Sequence, residues 1–278
     1  LSKTLMIQGT SSGAGKTTLV TALCRIFSNA GYSVAPFKSQ NMSNYSYREG
    51  GFEISQAQAI QAVAARTEIT PHINPILLKP LGNYRSSVIV HGKFYKKMTA
   101  QAYYEGFALT KGLEAALESF DALKKTHDLV IIEGAGSPAE INLQKYDIAN
   151  MLLAEKTNSP VLLVADIEKG GSFASLAGTM LLLPKQHKRL VRGFVINKFR
   201  GNQKLLKPGF RKLEQITSKS IFGVIPLVDL ELPNEDSLDK KIHLFTKQNQ
   251  KKLDGEIERL AKTVSKSLDM KKIERLLR

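Results

Sequence analysis

The stretch that most constrains this chain lies near its start: Leu5-Met6-Ile7-Gln8-Gly9-Thr10-Ser11-Ser12-Gly13-Ala14-Gly15-Lys16-Thr17-Thr18. Leu5 to Ile7 reads as a short buried strand, and Leu19 to Phe27 behind the turn reads as a helix. Strand, turn of small residues, Gly-Lys-Thr and helix are together the parts of a phosphate-binding P-loop. Small residues let successive backbone N–H groups curl round phosphate oxygens, and the helix N-terminus adds the positive end of its dipole. Ser12, Gly13, Ala14, Gly15, Lys16, Thr17 and Thr18 are therefore the expected nucleotide-binding residues. Lys16 would reach the terminal phosphates, and the Thr17 hydroxyl would ligate Mg²⁺. The spelling departs from G-x-x-x-x-G-K-[ST] in one place. Thr10 stands where the first glycine belongs, and Gly9 precedes it by one residue.

At 278 residues the chain has room for one large α/β domain or two small ones, and 42% hydrophobic residues supply a core. Cys24, the only cysteine, lies on the apolar side of the expected helix and reads as a small core residue. A disulfide framework and a cysteine metal site are thereby excluded. The sequence carries no charged-then-apolar leader and no apolar stretch long enough to span a bilayer. A cytoplasmic protein without membrane partners is expected. The net charge of +15 is concentrated late, in segments 185–192, 198–212 and 240–278, and is interspersed with Glu, Asp and Gln. Without an RNA-recognition or zinc-finger signature, that charge reads as a solvated basic face attracting anionic substrates, and nucleic acid is not an expected partner.

Past the P-loop helix, Val34 to Phe37 is a short strand, expected beside the P-loop strand. It ends in a polar cluster, Lys38-Ser39-Gln40-Asn41-Met42-Ser43, at the edge where open α/β sheets bind ligands. Helices are expected over 53–65 and 98–125, with extended segments at 76–80 and 87–90 between them. Four continuous apolar runs follow: 129–132 into Glu133, 161–165 into Asp166, 193–196 into Asn197, and 221–225 up to Pro226. Continuous rather than alternating runs suit a parallel sheet covered on both faces. Crossover helices are expected near 147–157, 172–183 and 209–217. The expected fold is thus α/β, a doubly wound, mainly parallel sheet of the P-loop NTPase kind, over residues 1–238. Residues 239–278 read as a basic helical extension packing on that domain, with Ile257, Leu260, Val264 and Leu268 as its buried stripe.

Glu133 closes a hydrophobic strand and precedes Gly134-Ala135-Gly136. A carboxylate there, facing the P-loop, would hold Mg²⁺ directly or through water. Asn197-Lys198-Phe199-Arg200 resembles the base-reading N-K-x-D of GTPases without its carboxylate. An Asn amide offers a donor and an acceptor to the N6/N7 edge of adenine, so ATP is favoured over GTP. The cluster 38–43, the turn 136–142 and Asp147 all follow strands on the ligand-bearing side and would surround an acidic small-molecule substrate. Lys38 would hold a carboxylate as it becomes a charged acyl phosphate. Asp147 has a second reading, as N-cap of a helix over 148–155. The five histidines lack metal-ligand spacing.

Six strings, at 35–43, 74–80, 133–143, 147–151, 165–171 and 193–201, resemble the cobyric acid synthase family, glutamine-dependent amidotransferases of cobalamin biosynthesis. Among them Glu133-Gly134-Ala135-Gly136-Ser137-Pro138-Ala139-Glu140-Ile141-Asn142-Leu143 and Asp147-Ile148-Ala149-Asn150-Met151 are specific in length and order. The likeness spans about residues 4–238. The synthetase domain of that family is related to dethiobiotin synthetase, whose P-loop glycine also comes one residue early. The resemblance implies a dethiobiotin-synthetase-like fold that uses ATP and Mg²⁺ to phosphorylate a corrinoid side-chain carboxylate, after which ammonia displaces the phosphate. It implies metal contacts at Thr17, Glu133 and a third acid, Glu53, and catalytic roles for Lys16 and Lys38. Lys38, Ser39, Gln40, Asn41, Ser137, Glu140 and Asp147 match the motifs expected around the substrate. Members of the family also carry a glutaminase domain with a cysteine nucleophile, which this sequence does not show. A homodimer is expected, and three explanations of the missing glutaminase stay open: a synthetase fragment, ammonia free or from a separate glutaminase subunit, or another substrate. Two alternatives stay open: dethiobiotin synthetase activity on diaminopelargonic acid and CO₂, and a P-loop ATPase switch of the partitioning type. The absence of lysine from Thr10 to Ala14 counts against the switch.

Overall fold

A computed structural model describes residues 2–229 and 247–277. The strands, in chain order, are β1 (Lys3–Gly9), β2 (Val34–Phe37), β3 (Gln40–Met42), β4 (Ser46–Glu49), β5 (Phe52–Ser55) and β6 (Ile76–Gly82). They continue with β7 (Arg85–Val90), β8 (Lys93–Thr99), β9 (Leu129–Glu133), β10 (Val161–Asp166), β11 (Val191–Phe199) and β12 (Ser220–Pro226). Six of them form one wholly parallel sheet in the order β12-β11-β10-β1-β9-β2. Every residue of β9 and β10 is buried, which is why those strands are apolar without alternation. The P-loop helix α1 (Lys16–Asn29) and the terminal helix Lys247–Ser267 cover one face. The helices Leu113–Thr126 and Ser172–Leu182 cover the other.

Several expectations are corrected. β2 pairs with β9, so β9 separates it from β1 and sets Lys38 beside the end of β9. A second, four-stranded sheet of order β3-β6-β7-β8 stands beyond the first. The helix expected from Glu53 is α2 (Gln56–Ala65), because Phe52–Ser55 pairs antiparallel with β4. The helix expected from Met98 begins at Ala100, since Met98 and Thr99 end β8 and the Thr99 hydroxyl accepts from the Ala102 N–H at 3.1 Å. It winds as a π-helix over Tyr103–Gly112 before continuing as Leu113–Thr126. The helix expected near 147–157 is confined to Met151–Lys156. The expected boundary between residues 238 and 239 lies outside the described residues. No helix among the described residues is long and apolar enough to cross a membrane.

Leu253, Ile257, Leu260, Val264 and Leu268 are buried, in one cluster with the apolar face of α1. One buried cation fastens this layer. The Arg25 guanidinium donates to the carbonyls of Ala64 at 2.8 Å and Val63 at 3.1 Å, and to Asp254 and Glu258, each at 2.6 Å. It therefore joins α1, the last turn of α2 and the terminal helix. Arg25→Met should lower the unfolding free energy by about 1–3 kcal/mol, because the buried Ala64 carbonyl loses its donor, whereas Val63 keeps the Arg66 N–H at 3.1 Å. Denaturant unfolding checks this, and Arg25→Lys should not restore it, since an ammonium lacks the fork.

Candidate active site

β1 delivers the chain to the carboxyl edge of the sheet, and α1 begins at Lys16. Between them Gly13 and Gly15 take φ of 72° and 100°, a region costly for other residues. Gly15 is required on a second ground, since a Cβ there would stand 1.9 Å from Asn197 Nδ2. The early glycine has its own reason. A Cβ on Gly9 would lie 3.0 Å from Lys16 Nζ and 3.1 Å from Lys16 Cγ, so Gly9 makes room for the lysine to fold back over the loop. Lys16 Nζ donates to the carbonyls of Ser11 at 3.0 Å and Gly136 at 2.9 Å.

From β11, Asn197 Nδ2 donates to the Ala14 carbonyl at 3.0 Å. Lys198 Nζ donates to the Gly13 carbonyl and to Asp166 Oδ2, both at 2.8 Å. Asn197 thus braces the loop with one N–H.

Glu133, fully buried at the end of β9, gathers the surrounding elements. Its Oε1 accepts from Thr17 Oγ1 and from Lys38 Nζ, both at 2.8 Å. Its Oε2 accepts from Gln61 Nε2 at 2.5 Å and Gln58 Nε2 at 3.5 Å. The register explains this convergence: Ile7 lies opposite Glu133, and Phe37 lies opposite Ile132. A carboxylate buried this deeply needs both a cation and hydrogen bonds. Thr17 and Glu133 offer the hard oxygens Mg²⁺ selects, and the 2.8 Å hydrogen bond between them brings the two side chains to one place. Among the described residues no cluster of three His, Cys, Asp or Glu side chains could hold a metal, so a cation here would share its shell with phosphate and water.

Glu53 is placed differently. On β5 its Oε1 meets Ser46 Oγ and Lys79 Nζ at 2.5 Å and Arg48 at 3.0 Å. Burial pushes its carboxyl up, but the hydrogen bonds from Lys79, Ser46 and Arg48 outweigh that and hold it below the ordinary carboxylate range. Among the described residues these contacts do not join it to Thr17 or Glu133.

Beside the P-loop lies a cavity of about 300 Å³ whose lining includes Ser12, Gln40, Tyr104, Ser137, Glu140 and Asp147. It brings together four of the seven expected substrate residues. The other three do not line it. Lys38 faces Glu133, Ser39 Oγ donates to the Ile148 carbonyl at 2.9 Å, and Asn41 Nδ2 donates to Ser55 Oγ at 2.7 Å and Gln58 Oε1 at 3.0 Å. The sequence reading missed Gln58, Gln61 and Tyr103, whose hydroxyl donates to Gln40 Oε1 at 2.5 Å. Gln58 and Gln61 had a signal: glutamines three apart in an alanine-rich helix share a face.

Asp147 lines the cavity but is not the N-cap expected for a helix over 148–155: that helix begins at Met151 with Asn150 at its N-cap, and Asp147 instead closes the turn before it. Its Oδ1 accepts from the N–H groups of Ala149 at 3.1 Å and Asn150 at 2.9 Å. Burial pushes its carboxyl from an ordinary 3.8 up to about 6 despite those bonds. The proton is therefore bound more tightly in the folded state. Stability is fully present below pH ~4 and declines as pH rises through about 6, by about 3 kcal/mol. Asp147→Asn should flatten that part of the pH profile of unfolding.

A glycine-rich loop between strand and helix, with a buried acid on the neighbouring strand aimed at its threonine, defines a P-loop nucleotide-binding α/β protein. The sequence matches the CobQ/CobB/MinD/ParA nucleotide binding domain over residues 5–238, and the chain belongs to that family. It is 52% identical over 247 residues to the cobyric acid synthase of Caldanaerobacter subterraneus subsp. tengcongensis, covering 88% of this chain and 48% of that protein. It is 55% identical over 243 residues to the probable cobyric acid synthase of Thermococcus kodakarensis, covering 86% and 49%. The chain therefore spans about half the length of the curated relatives it matches. Among solved structures, apo McdA from Cyanthece aligns with a TM-score of 0.49 and 14% identity, over 96% of this chain and 99% of that one.

Proposed function

We propose that this chain is the ATP- and Mg²⁺-dependent synthetase portion of an enzyme of the cobyric acid synthase type, activating a carboxylate of a corrinoid for amidation. The observation that carries this reading is the cavity opening beside Ser12 of the P-loop and bordered by Gln40, Ser137, Glu140 and Asp147, in a chain more than 50% identical to relatives of that name. The loop amides and Lys16 bind the terminal phosphates, and Asn197 presents its amide to adenine. Thr17 and Glu133 would hold Mg²⁺, which supplies charge neutralisation on the phosphates when bound.

With the acceptor carboxylate in the cavity, one of its oxygens attacks the γ-phosphorus, the bond to ADP breaks, and an acyl phosphate forms. Lys16 carries the charge that builds on the transferring oxygens. Ammonia then attacks the acyl carbon, phosphate leaves with the bonding pair, and the nitrogen loses a proton. Ammonia comes from outside these residues. Cys24 is buried, and burial, then the charge of Glu133, holds its thiol above the ordinary range, unlike a glutaminase nucleophile.

The deciding experiment measures ATP turnover with a corrinoid diamide plus ammonia against diaminopelargonic acid plus bicarbonate. Turnover is expected with the corrinoid alone, and with ATP well above GTP. Turnover with diaminopelargonic acid alone would transfer the chain to the dethiobiotin reaction. Equal rates with GTP would remove Asn197 from the base site.

A further inference from the structure

The π-helical stretch that gives Tyr104 to the reaction cavity also borders a second hollow, of about 420 Å³, against β7 and β8. Arg85, Lys96, Lys97 and Lys111 all line it, and no carboxylate does. Among the described residues none of these cations is ion-paired; Lys111 Nζ instead donates to the Tyr95 hydroxyl at 3.1 Å. Like charges around one hollow repel, so the arrangement gains free energy when an anion enters. Lysines on an edge strand such as β8 also deter strand pairing. That purpose does not call for an arginine from β7 and a lysine from the helix to border the same space. The floor is open as well, since a Cβ on Gly106 would meet nothing within 4 Å.

The hollow is built into the site's framework rather than hung on a mobile arm. The Tyr95 ring lies 5.5 Å from that of Phe107, which lies 5.3 Å from that of Tyr103. Tyr103 in turn holds Gln40, in the wall of the reaction cavity.

We propose that this hollow is a binding site for a small polyanion presenting two or more carboxylate or phosphate groups. Its volume lies within the range of small-molecule pockets, about 300–1,000 Å³. Ammonium groups accept either kind of oxyanion as point charges. The source is either the remote carboxylates of a polyacid acceptor, an assignment that rests on the function proposed above, or a free phosphate compound, which does not.

The test is calorimetric titration of citrate and of pyrophosphate into the full chain at low salt, with the P-loop saturated by Mg²⁺ and a non-hydrolysable ATP analogue. Saturable binding is expected, weakened about tenfold in Lys96→Ala/Lys97→Ala. The Lys204→Ala/Lys207→Ala variant removes the same charge from another exposed segment and should bind as the parent does. Preference for citrate assigns the carboxylate source, and preference for pyrophosphate assigns the phosphate source. Absence of saturable binding, or equal weakening in both double variants, overturns the site. Because the readout is equilibrium binding, it stands or falls apart from whether the chain amidates a corrinoid.

Discussion

Replacing Lys16 by alanine should leave a folded protein whose ATP turnover falls by roughly 10²–10³-fold or more. The ammonium folds over the loop, held by the carbonyls of Ser11 and Gly136, and Gly9 leaves it the room to do so. Exchanging those carbonyls for phosphate oxygens replaces neutral acceptors with charged ones, so the interaction strengthens as charge develops on the transferring group. Both hydrogen bonds are only partly buried, so water can replace the lost donor at a cost of about 1 kcal/mol each. Single-turnover rate, nucleotide affinity and thermal unfolding, measured together, separate these effects. A near-normal rate would remove Lys16 from the phosphate site, and an unfolded variant would make it a structural residue.

The central sheet was legible because burial on both faces leaves β9 and β10 no reason to alternate. The same pattern made Glu133 conspicuous, as a carboxylate ending a run that tolerates no other charge. β8 was not legible. Its sequence, Lys93 to Thr99, is that of an exposed edge strand, and its neighbours rather than its own pattern make it extended. The partners of Glu133 were hidden for another reason. Gln58 and Gln61 look like the solvent face of a short helix until α2 is docked with that face against the end of β9. The neighbour of Lys38 depends on strand order, which no local pattern encodes.

That strand order changes what Lys38→Ala should do. From the sequence, Lys38 is expected to hold the acceptor carboxylate, and its loss to cost acceptor turnover about 10²-fold with nucleotide affinity nearly unchanged. In the structure its Nζ lies 2.8 Å from Glu133 Oε1, the oxygen that also accepts from Thr17, and both charged side chains are buried. Removing one partner of a buried pair leaves the other charge desolvated, at a cost of about 3–5 kcal/mol. Lys38→Ala should therefore lower stability by that order as well as turnover. Lys38→Ala/Glu133→Gln, which strands no charge, should recover most of the stability and none of the turnover. Chemical denaturation of both variants, with single-turnover rates on the acceptor, separates the two roles. If the single variant is as stable as the parent, the pair carries no weight in the fold. If its affinity for ATP falls while acceptor turnover is unchanged, Lys38 serves the nucleotide through Glu133 and does not reach the acceptor.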